Sequence, residues 1–191
     1  MAHGTPTNGW LEKPYNMIDT AIGYYHYLPE DNCDDWGTLE LINMIEGAGR
    51  DWDAEYNDGS SIGVGDLSYG DLEYLYFGGP FEPHGSHQNG LDVDMRYMRT
   101  DGARSGINIA LCPDDYDNGK TQDLIDYLEA NANINVIYVD MDHAFLSGRY
   151  LEHMSGHSDH IHVRIVDPDG TGNKTERKTT RGYEDENQIN R

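Results

Sequence analysis

With 191 residues and 37% hydrophobic side chains, the chain is long enough for one domain with a substantial core and contains no stretch approaching a membrane span. Its 35 acidic and 13 basic side chains give a formal charge of -22, which excludes the basic footprint that nucleic acid or an anionic membrane requires. Self-repulsion in such a field opposes folding in dilute buffer, and does so far less in molar salt, where the screening length falls to about 3 Å.

In chain order, residues 1–20 mix Gly, Pro, Thr and Asn and read as an irregular arm. Residues 22–28 are aromatic-rich and predict a short strand, followed by a polar turn over 31–35. Thr38 has the chemistry of a helix cap, with Leu39, Leu41, Ile42 and Ile45 inside the helix and Gly47 or Gly49 as its stop. Residues 51–61 then form a polar loop, 62–68 a strand, and 70–90 a long loop. Residues 91–98 alternate. Leu91, Val93, Met95 and Tyr97 share one strand face, while Asp92, Asp94 and Arg96 share the other. After an acidic loop over 112–120, Thr121 caps a second helix that carries Leu124, Ile125 and Leu128. Residues 134–139 are an apolar strand, 140–159 a second long loop, and 160–166 a strand in which Ile161, Val163 and Ile165 alternate with His160, His162 and Arg164. From Asp167 to the end the chain reads as a polar tail. Asp167, Asp169 and Gly170 superficially resemble a calcium loop, but Lys178 stands where an EF-hand needs glutamate, so a turn is expected there. No repeat is visible.

The chemistry sits in two windows. Five of the nine histidines fall in residues 84–94 and 156–164. His87 and Asp94 form an H-x6-D spacing, with Asp94 on a strand and His87 on the loop leading into it. His160 and His162, two apart on a strand, point the same way. A His, a carboxylate and another His suit a catalytic zinc that keeps one open position. On that face one histidine of the H-x-H pair can bind metal while the other works beside it as acid or base. With no H-E-x-x-H helix present, the glutamate-based arrangement is excluded, and a neutral histidine becomes the candidate base: His160 first, His157 second, with His84 available to place water or an oxyanion. Asp92 shares the face of Asp94 and can support a ligand histidine. Cobalt or manganese would fit the same donors. His3, His26, His143 and His153 read as surface or structural histidines. Cys33 and Cys112, with no C-x-x-C, make a thiolate site improbable and leave their pairing open.

The two windows together resemble the zinc signature of the lysostaphin, D-Ala-D-Ala peptidase and hedgehog-like group. Within it they are most similar to penicillin-insensitive murein endopeptidases. Their H-x-x-H-Q-x-G-L-D-x-D pattern is met by His84, His87, Gln88, Gly90, Leu91, Asp92 and Asp94, and their G-H-x-x-H-x-H-V-R pattern by Gly156, His157, His160, His162, Val163 and Arg164. The segments Gly65-Asp66-Leu67-Ser68 and Trp36-Gly37-Thr38-Leu39-Glu40-Leu41-Ile42 also look similar, so the resemblance spans residues 36–166.

The resemblance implies His87, Asp94 and His162 as Zn2+ ligands and His84, His157 and His160 as accessory catalytic residues. It also implies an α+β fold, a small antiparallel sheet flanked by helices, as a single zinc peptidase domain over residues 1–191. The implied reaction is hydrolysis of D-alanyl cross-links between peptidoglycan stem peptides. The rival activities are D,D-carboxypeptidase, D-Ala-D-Ala dipeptidase and a non-catalytic zinc-binding domain. A periplasmic or secreted location is expected although no signal is visible in this chain, and a phage lysin fits the same chemistry. The partners are stem peptides, with neither nucleic acid nor membrane insertion, and the oligomeric state stays open.

Overall fold

The computed structural model describes residues 1–27, 33–73, 75–80 and 85–170. In chain order its elements are β1 (Ala2–Thr5), β2 (Asn8–Leu11), β3 (Tyr15–Asn16), β4 (Thr20–Ala21), β5 (Tyr24–His26), β6 (Trp36–Gly37), α1 (Leu39–Glu55), β7 (Ile62–Gly65), β8 (Gly70–Asp71), β9 (Tyr76–Phe77), β10 (Asp92–Arg96), α2 (Asn118–Asn131), β11 (Ile134–Val139), α3 (Met141–Ala144), β12 (Leu151–His153) and β13 (His160–Ile165). The class is α+β, as expected.

The main sheet has seven strands in the order β12-β11-β13-β10-β7-β5-β4. It is wider than the small antiparallel sheet expected, and it is mixed. The β5·β7 and β11·β12 pairs are parallel. The connections explain why. A parallel neighbour needs a crossover rather than a tight turn, and α1 supplies one between β5 and β7 while α3 lies within the other. The second long loop therefore contains both α3 and the edge strand β12.

Strand alternation separates the two faces of the sheet. Val93 and Met95 of β10 and Ile161, Val163 and Ile165 of β13 are buried in one core with Leu41, Ile42 and Ile45 of α1 and Leu124, Ile125 and Leu128 of α2. The helices thus cover one face, and the polar side chains of the same strands emerge on the other.

Thr38 caps α1 as expected, accepting from the Leu41 N–H at 3.3 Å. The helix does not stop at Gly47 or Gly49, however; it runs on to Glu55 and shortens the loop expected over 51–61. Its last turns bury Trp52, whose Nε1–H donates to Ser60 Oγ at 3.2 Å. Gly49 is inside the helix because the chain leading into β5 presses on it. A Cβ there would lie 2.6 Å from the Tyr24 ring and 2.7 Å from the Ile22 carbonyl oxygen. Close packing thus overrides the poor helix propensity of glycine. Gly49→Ala is expected to lower stability by about 1–3 kcal/mol through overpacking against backbone. An unchanged urea midpoint would contradict this packing.

Two further expectations are corrected. Residues 1–20 are not an irregular arm: β1 and β2 form a hairpin that pairs His3 with Trp10, rings stacked at 4.0 Å, and buries Ala2 and Leu11. The cap of α2 is Asp117, which accepts from the Lys120 N–H at 2.9 Å. Thr121 lies one turn inside, buried, with its hydroxyl donating to the Asp117 carbonyl and accepting from the Met98 N–H. Asp167 to Gly170 make the expected turn, while the tail over 171–191 lies outside the described residues. Cys33 and Cys112 are exposed and unpaired.

Candidate metal centre

Register places the polar face. Antiparallel pairing of β10 with β13 sets Asp92 opposite Arg164, Asp94 opposite His162 and Arg96 opposite His160. On the far side, β11 sets Tyr138 opposite His162. Directly opposed residues share a face, so these side chains form three successive rows across one face of the sheet, with Asp92 buried beneath the others. Above it opens a cleft of about 850 Å³, whose walls include Tyr27, Asn108 and Met154.

His87 reaches this floor from the loop before β10. Its backbone is left-handed, with φ +65°, a conformation uncommon for a residue with a Cβ. Hydrogen bonds hold it there. Ser68 Oγ donates to the His87 carbonyl at 2.5 Å and accepts from the Gly90 N–H at 2.7 Å. The His87 N–H donates to Asp92 Oδ2 at 3.3 Å. The next residue, Gln88, donates its N–H to the Pro6 carbonyl at 3.0 Å and accepts from the Gly9 N–H through Oε1 at 3.4 Å. The N-terminal hairpin therefore braces the loop that aims His87.

His87, Asp94 and His162 converge and are almost fully buried, with a ligand atom of each lying within 4.8 Å of the others. His162 Nδ1 stands 3.0 Å from Asp94 Oδ1, His87 Nε2 3.4 Å from the same oxygen, and the two nitrogens 3.1 Å apart. Ligands held about 2.1 Å from a tetrahedral ion are spaced by roughly 3.4 Å, so a divalent cation fits among these three atoms. The outer nitrogens agree with this. His87 Nδ1–H donates to the Leu67 carbonyl at 2.9 Å, and His162 Nε2–H donates to Asp92 Oδ1 at 2.9 Å. Each bond fixes the tautomer that turns a nitrogen lone pair inward. Asp94 Oδ1, buried and without a hydrogen bond of good geometry, points to the same place.

The charges are tightly balanced. Burial alone would favour protonated carboxyls, but His87 and His162 outweigh it and hold Asp94 well below the usual carboxylate range. Burial likewise works against ionised Asp92; His162 and Arg164 overcome it, with Arg164 Nε–H donating to Asp92 Oδ1 at 2.5 Å. Burial opposes a charged His162 as well, but Asp92 and Asp94 prevail and push its pKa up to about 9. A cation binding Nδ1 displaces that proton.

His160 and His157 stand beside this group. His160 Nε2 lies 3.6 Å from Asp94 Oδ2, and its Nδ1–H donates to Asp159 Oδ1 at 2.8 Å. The His157 ring is 4.7 Å from that of His160. Burial, reinforced by His160 and His162, lowers the His157 pKa and keeps the ring neutral. His84 lies outside the described residues.

A sequence model of the family described as penicillin-insensitive murein endopeptidase matches residues 2–136. The chain belongs to this family. No curated protein sequence matches it. Membership makes the chain a cell-wall peptidase whose substrate is peptidoglycan. The matched stretch carries His87 and Asp94 but ends before residues 156–164. His160 and His162 join His87 and Asp94 through the pairing of β13 with β10, and His157 stands beside them on the loop before β13. No described helix is long and apolar enough to cross a membrane.

Sequence reasoning found the three converging side chains and Asp92. It missed Leu67 and Asp159 as orienting groups and Ser68 as the clasp of the His87 loop. A backbone carbonyl leaves no trace in residue type. The Gly65-Asp66-Leu67-Ser68 segment was the available signal for the other half of that support.

Proposed function

We propose that this murein endopeptidase is zinc-dependent and hydrolyses D-alanyl cross-links between stem peptides, acting in the periplasm or after secretion. The observation that carries the reading is the convergence of His87 Nε2, Asp94 Oδ1 and His162 Nδ1 at the floor of an open cleft, with His160 at its side. When bound there, zinc lowers the pKa of a coordinated water towards about 7 and polarises the scissile carbonyl.

The other roles belong to the chain's own residues. Asp159 accepts from His160 Nδ1–H and leaves Nε2 facing Asp94. His160 takes the proton of the attacking water at Nε2 and passes it to the leaving amine. His157, kept neutral, is the second group within reach of that proton. Asp92 and the Leu67 carbonyl hold the ligand rings in place. His84, next to the cleft in sequence, steadies the water or the developing oxyanion.

Mass spectrometry of digested sacculi tests the reading. Cross-linked muropeptide dimers are expected to become monomers, to persist in a chelator, and to be cleaved again after zinc is restored. Release of free D-alanine or of a dipeptide would assign a carboxypeptidase or dipeptidase instead. Tight zinc binding without any product would indicate a binding domain.

A further inference from the structure

A second group of metal-type donors lies apart from the cleft, where β5 meets the segment before β6. Asp19, His26 and Asp35 each offer a ligand atom within 4.8 Å of the others. None of the three lines the cleft. Of the two readings left open for His26, surface or structural, burial excludes the first: its side chain is wholly buried and that of Asp35 is 2% exposed. His26 Nε2 faces Asp35 Oδ1 at 3.2 Å and Asp34 Oδ1 at 3.9 Å. Even so, neither ring nitrogen of His26 makes a hydrogen bond, nor does Asp35 Oδ1. A buried imidazole and carboxylate left without hydrogen bonds are costly, and a misaligned ion pair recovers little of that cost.

We propose that Asp19, His26 and Asp35 form a second divalent-cation site, structural in role and separate from the His87–Asp94–His162 centre. One imidazole with two carboxylates suits zinc, an ion of borderline softness. Asp19 is exposed and provides the entry from solvent, while His26 and Asp35 are the sealed inner donors. The backbone already draws these segments together. The His26 N–H donates to the Asp19 carbonyl, the Met17 N–H to the Asp35 carbonyl, and the Leu67 N–H to the Asp34 carbonyl. An ion here would pin the N-terminal segment to residues 34–35. The remaining donor group among the described residues, Asp140, Asp142 and His153, differs. It is mostly exposed, Asp140 caps α3 and bonds His143, and His153 Nδ1 accepts from the Met141 N–H.

Equilibrium dialysis of the full chain against Zn2+, with metal counted by plasma mass spectrometry, tests the proposal independently of hydrolysis. The wild type is expected to hold two equivalents, His162→Ala one, and His26→Gln one with hydrolysis of sacculi retained. His26 is buried and its variant can fail to fold, so Asp19→Asn at the surface supplies the second arm. In the His162→Ala background it is expected to weaken the remaining equivalent at least tenfold and to abolish the rise in melting temperature on adding Zn2+. A wild type holding one equivalent, lost in His162→Ala, would overturn the second site and leave the first intact. Asp19→Asn leaving the affinity of the second equivalent unchanged would overturn this ligand set.

Discussion

His162→Ala is expected to abolish both metal binding at the cleft floor and peptidoglycan hydrolysis while leaving the protein folded. The loss is double because His162 is one of the three donors that converge there among the described residues, and His87 with Asp94 cannot hold a catalytic ion tightly alone. Hydrolysis should fall by more than the roughly 10⁴-fold upper range for losing an acid–base group, since the ion that activates water goes too. The fold survives because the buried carboxylate left behind keeps a counter-charge: Asp92 still accepts from Arg164 Nε–H at 2.5 Å. Metal content by plasma mass spectrometry and muropeptide products by chromatography measure the two losses, with circular dichroism as the folding control. If the second cation site is filled, its equivalent remains in the variant. A variant that keeps its activity would remove His162 from the metal centre.

His160→Ala separates chemistry from binding. Its Nε2 stands 3.6 Å from Asp94 Oδ2, beside the donors but outside the group of three, so its removal should leave the metal content of the centre unchanged. Turnover is nonetheless expected to drop about 10²–10⁴-fold, the usual contribution of a positioned general base. Substrate affinity should change little, because a group that acts on the travelling proton affects kcat rather than KM. Asp159→Asn is the milder companion. The bond from His160 Nδ1 would lose its charge but not its geometry, giving a smaller loss than His160→Ala. Full activity in His160→Ala would pass the proton-transfer role to His157, whose ring is the nearest neutral imidazole.

The candidate metal centre was more legible than the scaffold. Strand periodicity alone predicts that Asp92 and Asp94 share one face, and that His160, His162 and Arg164 share another. What it cannot supply is the register that sets Asp94 opposite His162, which depends on how β10 and β13 align over the core of Val93, Met95, Ile161 and Val163. His87 was readable by its spacing and by the pattern around it, although its left-handed backbone is held by nearby Asp92 and by two distant parts of the chain, Ser68 and the N-terminal hairpin.

The misreadings have a common cause. Gly47 and Gly49 look like a helix stop when judged locally, but Gly49 lets α1 press against the chain entering β5, and Gly47 faces the Tyr127 hydroxyl of α2. Residues 1–20 look irregular because their strands are short and polar, and what buries Ala2 and Leu11 is the rest of the protein. Thr121 is an acceptable cap by residue type, though a weaker one than Asp117. Its side chain is instead drawn inward by the Met98 N–H. In each case a contact far away in sequence outweighed a local preference.

Anomalous diffraction at the zinc edge from crystals of the zinc-loaded protein tests the central claim most directly. The account predicts a peak at the cleft floor about 2.0–2.2 Å from His87 Nε2, an Asp94 carboxylate oxygen and His162 Nδ1, with a further coordination position open towards His160. No peak there, or ligand side chains turned towards separate partners with zinc bound elsewhere, would contradict it.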